Sequence, residues 1–403
     1  MRVVRGSGTA RTVAAATMLL ASLGGATGVA VAGVPAESVP PVARAAVSIK
    51  AVTLGFVHSC ALNTAGGVKC WGYNGEGELG DNTTVDSAKP VAVRGLGKGV
   101  QAISAGSYFT CALTTAGAVK CWGSNTYGQL GDNTTTASAR PVPVYGLGKG
   151  VTAISAGNFF ACALTAKGAV KCWGANSYGQ LGDGTTTSSA RPVAVKGFAK
   201  GGLGLGAGGY HACALTSKSG AKCWGYNGEG ELGDNTKVDS PTPVAVYGLS
   251  RGVKSLAGGS YSTCALTTKA AVKCWGYNGD GELGDNTLVS ALKPVAAYKL
   301  NKDVKALAYG DIHGCALTTA GRVKCWGYNG YGALGDNTTT TSPKAVGVYD
   351  MGAEIKRIAA GGYHSCAVTT KGRVKCWGFN AYGQLGNGTT TTSYKPVRVL
   401  GLP

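Results

Sequence analysis

Cysteines fall at positions 60, 70, 111, 121, 162, 172, 213, 223, 264, 274, 315, 325, 366 and 376, so the members of each pair are ten residues apart and successive pairs repeat every 51 residues. The second cysteine of every pair is followed by Trp-Gly. Seven such units restrict the chain to an open array or a closed ring of one supersecondary motif, because a single unit cannot bury its own apolar face. Composition narrows this further. Gly makes up 67 of 403 residues, but with no three-residue period and only 13 Pro, which excludes a collagen-like rod. At 44% hydrophobic and 14% charged, the chain can support packed cores rather than disorder.

The unit around Cys111 shows the internal grammar. Thr110–Thr114, Ala118–Trp122, Pro141–Tyr145 and Val151–Gly157 are short apolar or alternating runs, and Gly, Asn and Thr fill the gaps. None has a helical period. Four short strands per unit, seven times over, predict an all-β fold: a seven-bladed β-propeller with four antiparallel strands per blade. We letter the strands a to d, beginning with the run before the first cysteine. The propeller is expected over 48–403, with blades near 48–97, 98–148, 149–199, 200–250, 251–301, 302–352 and 353–403.

The b–c hairpin can be drawn in register. Pairing Asn63 with Gly67 leaves Thr64-Ala65-Gly66 as a three-residue loop, with Gly in the position that favours the left-handed conformation. Leu62 then opposes Val68 and Cys60 opposes Cys70, a spacing that suits a disulfide. One intra-blade disulfide per unit is therefore expected: Cys60 with Cys70, Cys111 with Cys121, Cys162 with Cys172, Cys213 with Cys223, Cys264 with Cys274, Cys315 with Cys325 and Cys366 with Cys376. The alternatives are small core thiols, or zinc ligands, for which no four-ligand set with shared spacing is visible. Ser219 and Ala270 replace the turn Gly in units four and five, so those hairpins are expected to differ locally.

Residues 1–32 carry Arg2, Arg5 and Arg11, no acid, an apolar run and a terminal Ala30-Val31-Ala32. This reads as a secretory signal peptide, with a flexible Pro-containing leader over 33–47. Secretion to the extracellular space is expected, and disulfides agree with it. Losing the three Arg lowers the formal charge from +19 to +16.

Gly-Gly-Tyr-His-Ser-Cys-Ala-Val-Thr (361–369), Gly-Arg-Val-Lys-Cys-Trp-Gly (372–378) and Asn-Ala-Tyr-Gly-Gln-Leu-Gly (380–386) show a pattern that recurs in all units. The pattern resembles the regulator of chromosome condensation repeat family, and the resemblance implies a seven-bladed propeller. The family's best-known nuclear member is a nucleotide-exchange factor for a small GTPase and acts through an insertion in one blade. The invariant spacing leaves no room for that insertion, and export would remove the GTPase, so exchange activity is not expected. A secreted bacterial branch includes propeller-type β-lactamase inhibitors. The resemblance therefore implies macromolecular binding with an inhibitory role.

Candidate chemistry is sparse. His58, His211, His313 and His364 all lie two residues before a first cysteine, which reads as structural. Asp81, Asp132, Asp183, Asp234, Asp285 and Asp336 recur as turn caps. Asn278-Gly-Asp280-Gly-Glu282 has alternating oxygens like those of a calcium loop but lacks its acidic follow-up. The seven Trp read as blade-packing residues, each with a Lys two positions earlier whose stem covers the indole. Antiparallel strands place the a–b and c–d loops on one face and the b–c and d–a loops on the other. The latter set is basic: Lys98, Lys149, Lys200, Arg251 and Lys302 with Lys167, Lys218, Lys269 and Lys371.

The former set is aromatic. Its a–b loops carry Phe56, Tyr108, Phe109, Phe159, Phe160, Tyr210, Tyr261 and Tyr363. Its c–d loops carry Tyr127, Tyr178, Tyr331 and Tyr382, replaced by Glu76, Glu229 and Asp280 in the other blades. Tyr108, Phe159, Tyr210, Tyr261 and Tyr363, with these c–d residues, are the expected ligand-binding surface. The leading reading is a monomeric, non-catalytic scaffold that binds an extracellular protein and needs no cofactor or metal. A glycan or anionic cell-envelope binder is the first alternative, and a propeller enzyme the second. Nucleic acid is disfavoured, because the positive charge is spread around a ring.

Overall fold

A computed structural model describes residues 47–403. The signal peptide expected over 1–32 and nearly all of the leader lie outside them. The described residues form seven four-stranded antiparallel sheets, each built from consecutive strands in the order a-b-c-d. Blade one comprises Ile49–Leu54, His58–Asn63, Val68–Gly72 and Ser87–Ala92, and the pattern repeats through Ser393–Arg398. Each a strand touches the a strands of both neighbouring blades, including blade seven against blade one, so strand a is innermost and the ring is closed. Among the described residues no helix is long and apolar enough to cross a membrane.

Strands b and c are buried along nearly their whole length, because each is sandwiched between two blades. Their Cys-Ala-Leu and Cys-Trp runs are accordingly apolar on both faces. Strand d is only partly covered and carries Pro90, Pro141, Pro192, Pro243, Pro294 or Pro396 in six blades. Pro is tolerated on this outer edge, where the missing N–H also blunts pairing with other chains. Strand d of blade two is Ser138–Pro143, three residues earlier at its start than the Pro-Val alternation indicates. The cross-strand pair Gly123–Ser138, reached across a bulge, sets the register instead.

The b–c hairpins follow the expected register, with Cys60 opposite Cys70 and Leu62 opposite Val68. All seven expected cysteine pairs are disulfides. They are Cys60–Cys70, Cys111–Cys121, Cys162–Cys172, Cys213–Cys223, Cys264–Cys274, Cys315–Cys325 and Cys366–Cys376, each within one blade. The expectation that hairpins four and five differ is overturned. Ser219 (φ 56°) and Ala270 (φ 59°) adopt the left-handed conformation that Gly66 takes at 82°. The turn hydrogen bond is retained, from Ser219 N to Thr216 O at 2.8 Å. Pairing along both strands outweighs the local penalty. Replacing Ser219 or Ala270 by Gly should therefore raise stability by about 0.5–1 kcal/mol each, after glycine's entropy cost, in denaturant melts.

Blades are joined through their interfaces rather than by a shared sheet. Each Trp packs against the disulfide of the preceding blade, as Trp122 does against Cys60 and Cys70. The ring closes the same way, with Trp71 against Cys366 and Cys376. The indole N–H donates to a carbonyl of that preceding blade: Trp122 Nε1 to Glu78 O at 2.8 Å, and Trp71 Nε1 to Gln384 O at 2.8 Å.

Candidate functional site: the aromatic loop face

Two devices hold the loops of this face. The a–b loops are three residues long and are linked in a belt around the axis, each N–H donating to a carbonyl of the next blade. The belt runs from Phe56 N to Ser107 O at 3.1 Å and closes from Gly362 N to Gly55 O at 3.2 Å. The c–d loops are organised by a buried Asn. Asn74 Nδ2 donates to Thr83 O and Val85 O at 3.1 Å each, while its Oδ1 accepts Leu79 N at 2.8 Å. Asn125, Asn176, Asn227, Asn278, Asn329 and Asn380 repeat the arrangement. Asp81 caps the same turn, accepting from Thr83 N at 3.0 Å and Thr83 Oγ1 at 2.8 Å. In the loop with a calcium-like pattern, Asn278 Oδ1 accepts Leu283 N and Glu282 Oε2 accepts Asp280 N, so these oxygens serve backbone groups. Among the described residues no group of three His, Cys, Asp or Glu could hold a metal ion.

Most expected ring residues lie on this face, in two clusters. One runs through blades six, seven, one, two and three. Tyr331 meets Tyr363 at 5.2 Å between ring centroids, and Phe56 meets Tyr363 at 5.1 Å. Tyr108 stacks on Phe159 at 6.4 Å, and Tyr127 tilts onto Phe159 at 5.5 Å. The second cluster joins Tyr178, Tyr210 and Tyr261 through Tyr226. Tyr127, Tyr178, Tyr261, Tyr331 and Tyr382 are exposed. Glu76, Glu229 and Asp280 break the aromatic series, and Glu229 pairs with Lys237 at 3.5 Å.

Two rings belong elsewhere. Phe109 and Phe160 are not loop residues: they begin strand b and are fully buried. They fill the slot that His58 and its counterparts occupy in four blades. There His58 Nε2 meets Thr110 Oγ1 of the next blade at 2.8 Å, and His364 Nε2 meets Ser59 Oγ at 2.9 Å. Ser59 Oγ donates onward to Gln384 O at 2.8 Å, so it accepts from His364, whose proton therefore sits on Nε2. Burial holds His58, His211 and His313 at about 4, and His364 at about 3. These histidines lock neighbouring blades together.

Tyr73, Tyr226, Tyr277, Tyr328 and Phe379, immediately after each Trp-Gly, also belong to this face and escaped sequence reasoning. A signal existed. A Cβ on Gly75 would lie 2.1 Å from Tyr73 Oη, and Gly228, Gly279 and Gly330 stand in the same relation to their tyrosines. Where that ring is missing, at Ser124 and Ala175, the Gly is replaced by Thr126 and Ser177. Tyr73, Tyr108, Tyr331, Tyr363, Phe379 and Tyr382, with Phe56, line a cavity of about 290 Å³. It adjoins the central channel, whose mouth holds Ser107, Asn158 and Asp311.

Charge divides between the faces. Of the described acids, only Asp303, Asp350 and Glu354 lie in d–a loops, and every other one lies in a c–d or a–b loop. Those loops contain one basic residue, Lys237. The opposite face carries the expected Lys series, all exposed. Glu78, Glu231 and Glu282 are buried, and burial lifts them to about 7 despite bonds from backbone N–H groups that act the other way.

Comparison with known proteins accords with this architecture. Residues 21–285 match the RCC1-like domain, and residues 320–368 and 371–403 match the regulator of chromosome condensation (RCC1) repeat. The chain is 30% identical over 347 residues to the ultraviolet-B receptor UVR8 of Arabidopsis thaliana, covering 84% of this chain and 78% of the receptor. It is 33% identical over 345 residues to the human E3 ubiquitin-protein ligase HERC2, covering 82% of this chain but spanning only 7% of the ligase. Among solved structures, human WBSCR16 superposes with a TM-score of 0.74 at 24% identity, covering 83% of this chain and 93% of that one. Prp20p of Saccharomyces cerevisiae gives 0.71 at 25% identity, covering 82% and 85%. With its seven 51-residue units closed into seven blades, the chain belongs to the RCC1 repeat family.

Proposed function

We propose that this propeller is a secreted, non-catalytic scaffold that binds another protein through the aromatic, acid-bearing face and acts by occluding its partner. The observation that carries the reading is that one rigid loop face holds all the ring-to-ring clusters of loop aromatics, Tyr127, Tyr178, Tyr261, Tyr331 and Tyr382 exposed among them, together with nearly all the described acids, of which only Glu229 has a basic partner. Tyr offers a large contact area at low entropy cost, and loops pinned by buried Asn and an axial belt need little further ordering on binding. The described histidines and buried acids are committed to blade packing, which leaves them poorly placed for turnover. Seven disulfides accord with an oxidising compartment, and the signal peptide expected over 1–32 would supply a route to it. In the yeast relative, the structural study concerns binding to Gsp1p and histones, which accords with protein recognition by such a scaffold.

The test is capture from the producing cell's surroundings, together with inhibition assays on secreted hydrolases including β-lactamases. Tyr331→Ala/Tyr382→Ala and Tyr127→Ala/Tyr178→Ala should each weaken a specific complex by about tenfold or more, at constant net charge. Capture unchanged in both variants would sink the reading. The opposite face supports a second one. Lys371, Arg373, Lys375 and Arg398, outnumbering Asp350 and Glu354, border a cavity of about 360 Å³, a site for anionic envelope polymer. Steep loss of capture between low and physiological salt, with the Tyr variants unaffected, would favour that polymer.

A further inference from the structure

We infer that the aromatic cavity beside the central channel is a cation subsite that receives the guanidinium or ammonium head of one Arg or Lys side chain of a protein partner. The inference rests on the protein-binding reading above and specifies what anchors there.

Three independent features converge. The cavity walls are rings set at steep angles to one another. Tyr73 meets Tyr382 at 76°, Tyr331 meets Tyr363 at 70° and Tyr331 meets Phe379 at 57°. Rings so disposed offer π faces and hydroxyl oxygens in several orientations around one space, an arrangement suited to a cation. Its volume, about 290 Å³, lies at the lower end of ligand pockets and suits a single side chain. The protein covers other tyrosines with its own cations, Tyr145 with Arg191, Tyr247 with Lys293 and Tyr298 with Lys299. Among the described residues no ring of the cavity is covered in this way.

The second feature is Asp311. It stands at the channel mouth, which shares Phe56 with the cavity. The equivalent positions in the other blades are Phe56, Ser107, Asn158, Gly209, Ser260 and Gly362, so this is the single carboxylate in an a–b loop. It has no basic partner: the one salt bridge among the described residues joins Lys237 and Glu229. Burial pushes its carboxyl up to about 6, with a Ser260 hydrogen bond acting the other way. The third feature is the wider field. Loops holding nearly every acid and one Lys draw a basic partner toward this face and repel an acidic one. A sugar ring would also stack on tyrosines and could donate hydroxyls to Asp311, but being neutral it would gain nothing from the acidic field of this face.

The experiment titrates the full chain with N-acetyl-arginine methylamide, N-acetyl-lysine methylamide, the neutral isostere N-acetyl-citrulline methylamide and a methyl glucoside. Aromatic ¹H–¹³C NMR shifts provide the readout. The two cations should give saturable shifts, with the citrulline compound and the glucoside at least about tenfold weaker. Asp311→Asn, a change toward the residue that blade three carries as Asn158, should weaken the arginine compound about fivefold with a melting temperature no lower than the parent's. Tyr331→Ala/Tyr382→Ala should abolish binding. Equal binding of the neutral compounds, or no effect of Asp311→Asn, overturns the subsite. Parallel capture assays separate the two readings. Capture that the arginine compound does not compete sinks the subsite alone. Saturable cation binding without protein capture sinks the protein-binding reading alone.

Discussion

Reduction of the seven disulfides under otherwise native conditions is expected to unfold the propeller at 37 °C. Each disulfide joins cysteines ten residues apart, a loop whose closure in the unfolded chain corresponds to about 2–3 kcal/mol. Seven together exceed the roughly 5–15 kcal/mol net stability of ordinary domains. A packing loss adds to the entropic one, because each disulfide is the surface on which the next blade's Trp rests. The check is a thermal melt followed by circular dichroism with and without a phosphine reductant. Survival of the reduced protein with a melting point within a few degrees of the oxidised form would refute the assignment of stability to the staples. Cys60→Ala/Cys70→Ala isolates one blade, and a loss of about 3–5 kcal/mol is expected from loop entropy plus the cavity beneath Trp122.

The second large effect is titration of the blade interfaces. Glu78, Glu231 and Glu282 are raised by burial to about 7 in the fold, from an ordinary value of 4.5. The folded state therefore holds protons that the unfolded state releases, and their contribution to stability falls as pH rises from about 4.5 to about 7. The four histidines act oppositely. Held at about 4 or below against an ordinary 6.5, they are neutral in the fold, and their contribution is lost as pH falls from 6.5 toward 4. With Asp311, which burial also raises from 3.8 to about 6, four acids oppose four histidines, so the two sets nearly cancel between pH 4.5 and 6.5 and the native protein should show a flat stability profile there.

Glu78→Gln/Glu231→Gln/Glu282→Gln removes most of one arm. The same position is Gln129, Gln180 and Gln384 in other blades, where the amide makes the equivalent bond, as from Tyr127 N to Gln129 Oε1 at 2.9 Å. The triple variant should gain on the order of 2–3 kcal/mol per site at pH 8, and its stability should now climb steeply from pH 4.5 to 6.5 as the histidines deprotonate. Denaturant melts across pH would show both. Equal stability of variant and parent at pH 8 would mean that these carboxylates are solvated.

What was legible from residues alone was whatever repeats within one unit. The strand count, the hairpin pairing of Asn63 with Gly67, the partnership of Cys60 with Cys70 and the seven blades all follow from local spacing, because a hairpin's register depends on a dozen neighbouring residues. The disposition of the aromatic side was partly legible. Strand alternation placed Tyr127, Tyr178, Tyr331 and Tyr382 on one face, but it could not separate Phe159, which joins the surface cluster, from Phe160, which is buried at the head of strand b. That distinction lies in the next blade, 51 residues away, where a hydroxyl or an apolar surface receives the side chain.

The same holds for the features with most consequence. Glu78 looks like a loop acid and is a buried interface group. Asp311 looks like one substitution in a varied loop and is the carboxylate at the mouth of the channel. The histidines look like structural residues at a strand end, and the ring shows which structure they serve: they are bolts between blades. The amino-acid sequence settled the unit and its sevenfold repetition, since periodicity and turn chemistry act over short range. Only the closed ring decided what each unit presents to its neighbour and to solvent, since that depends on contacts between residues at least one whole repeat apart, where burial and the dielectric of the interface, rather than local propensity, set each side chain's role.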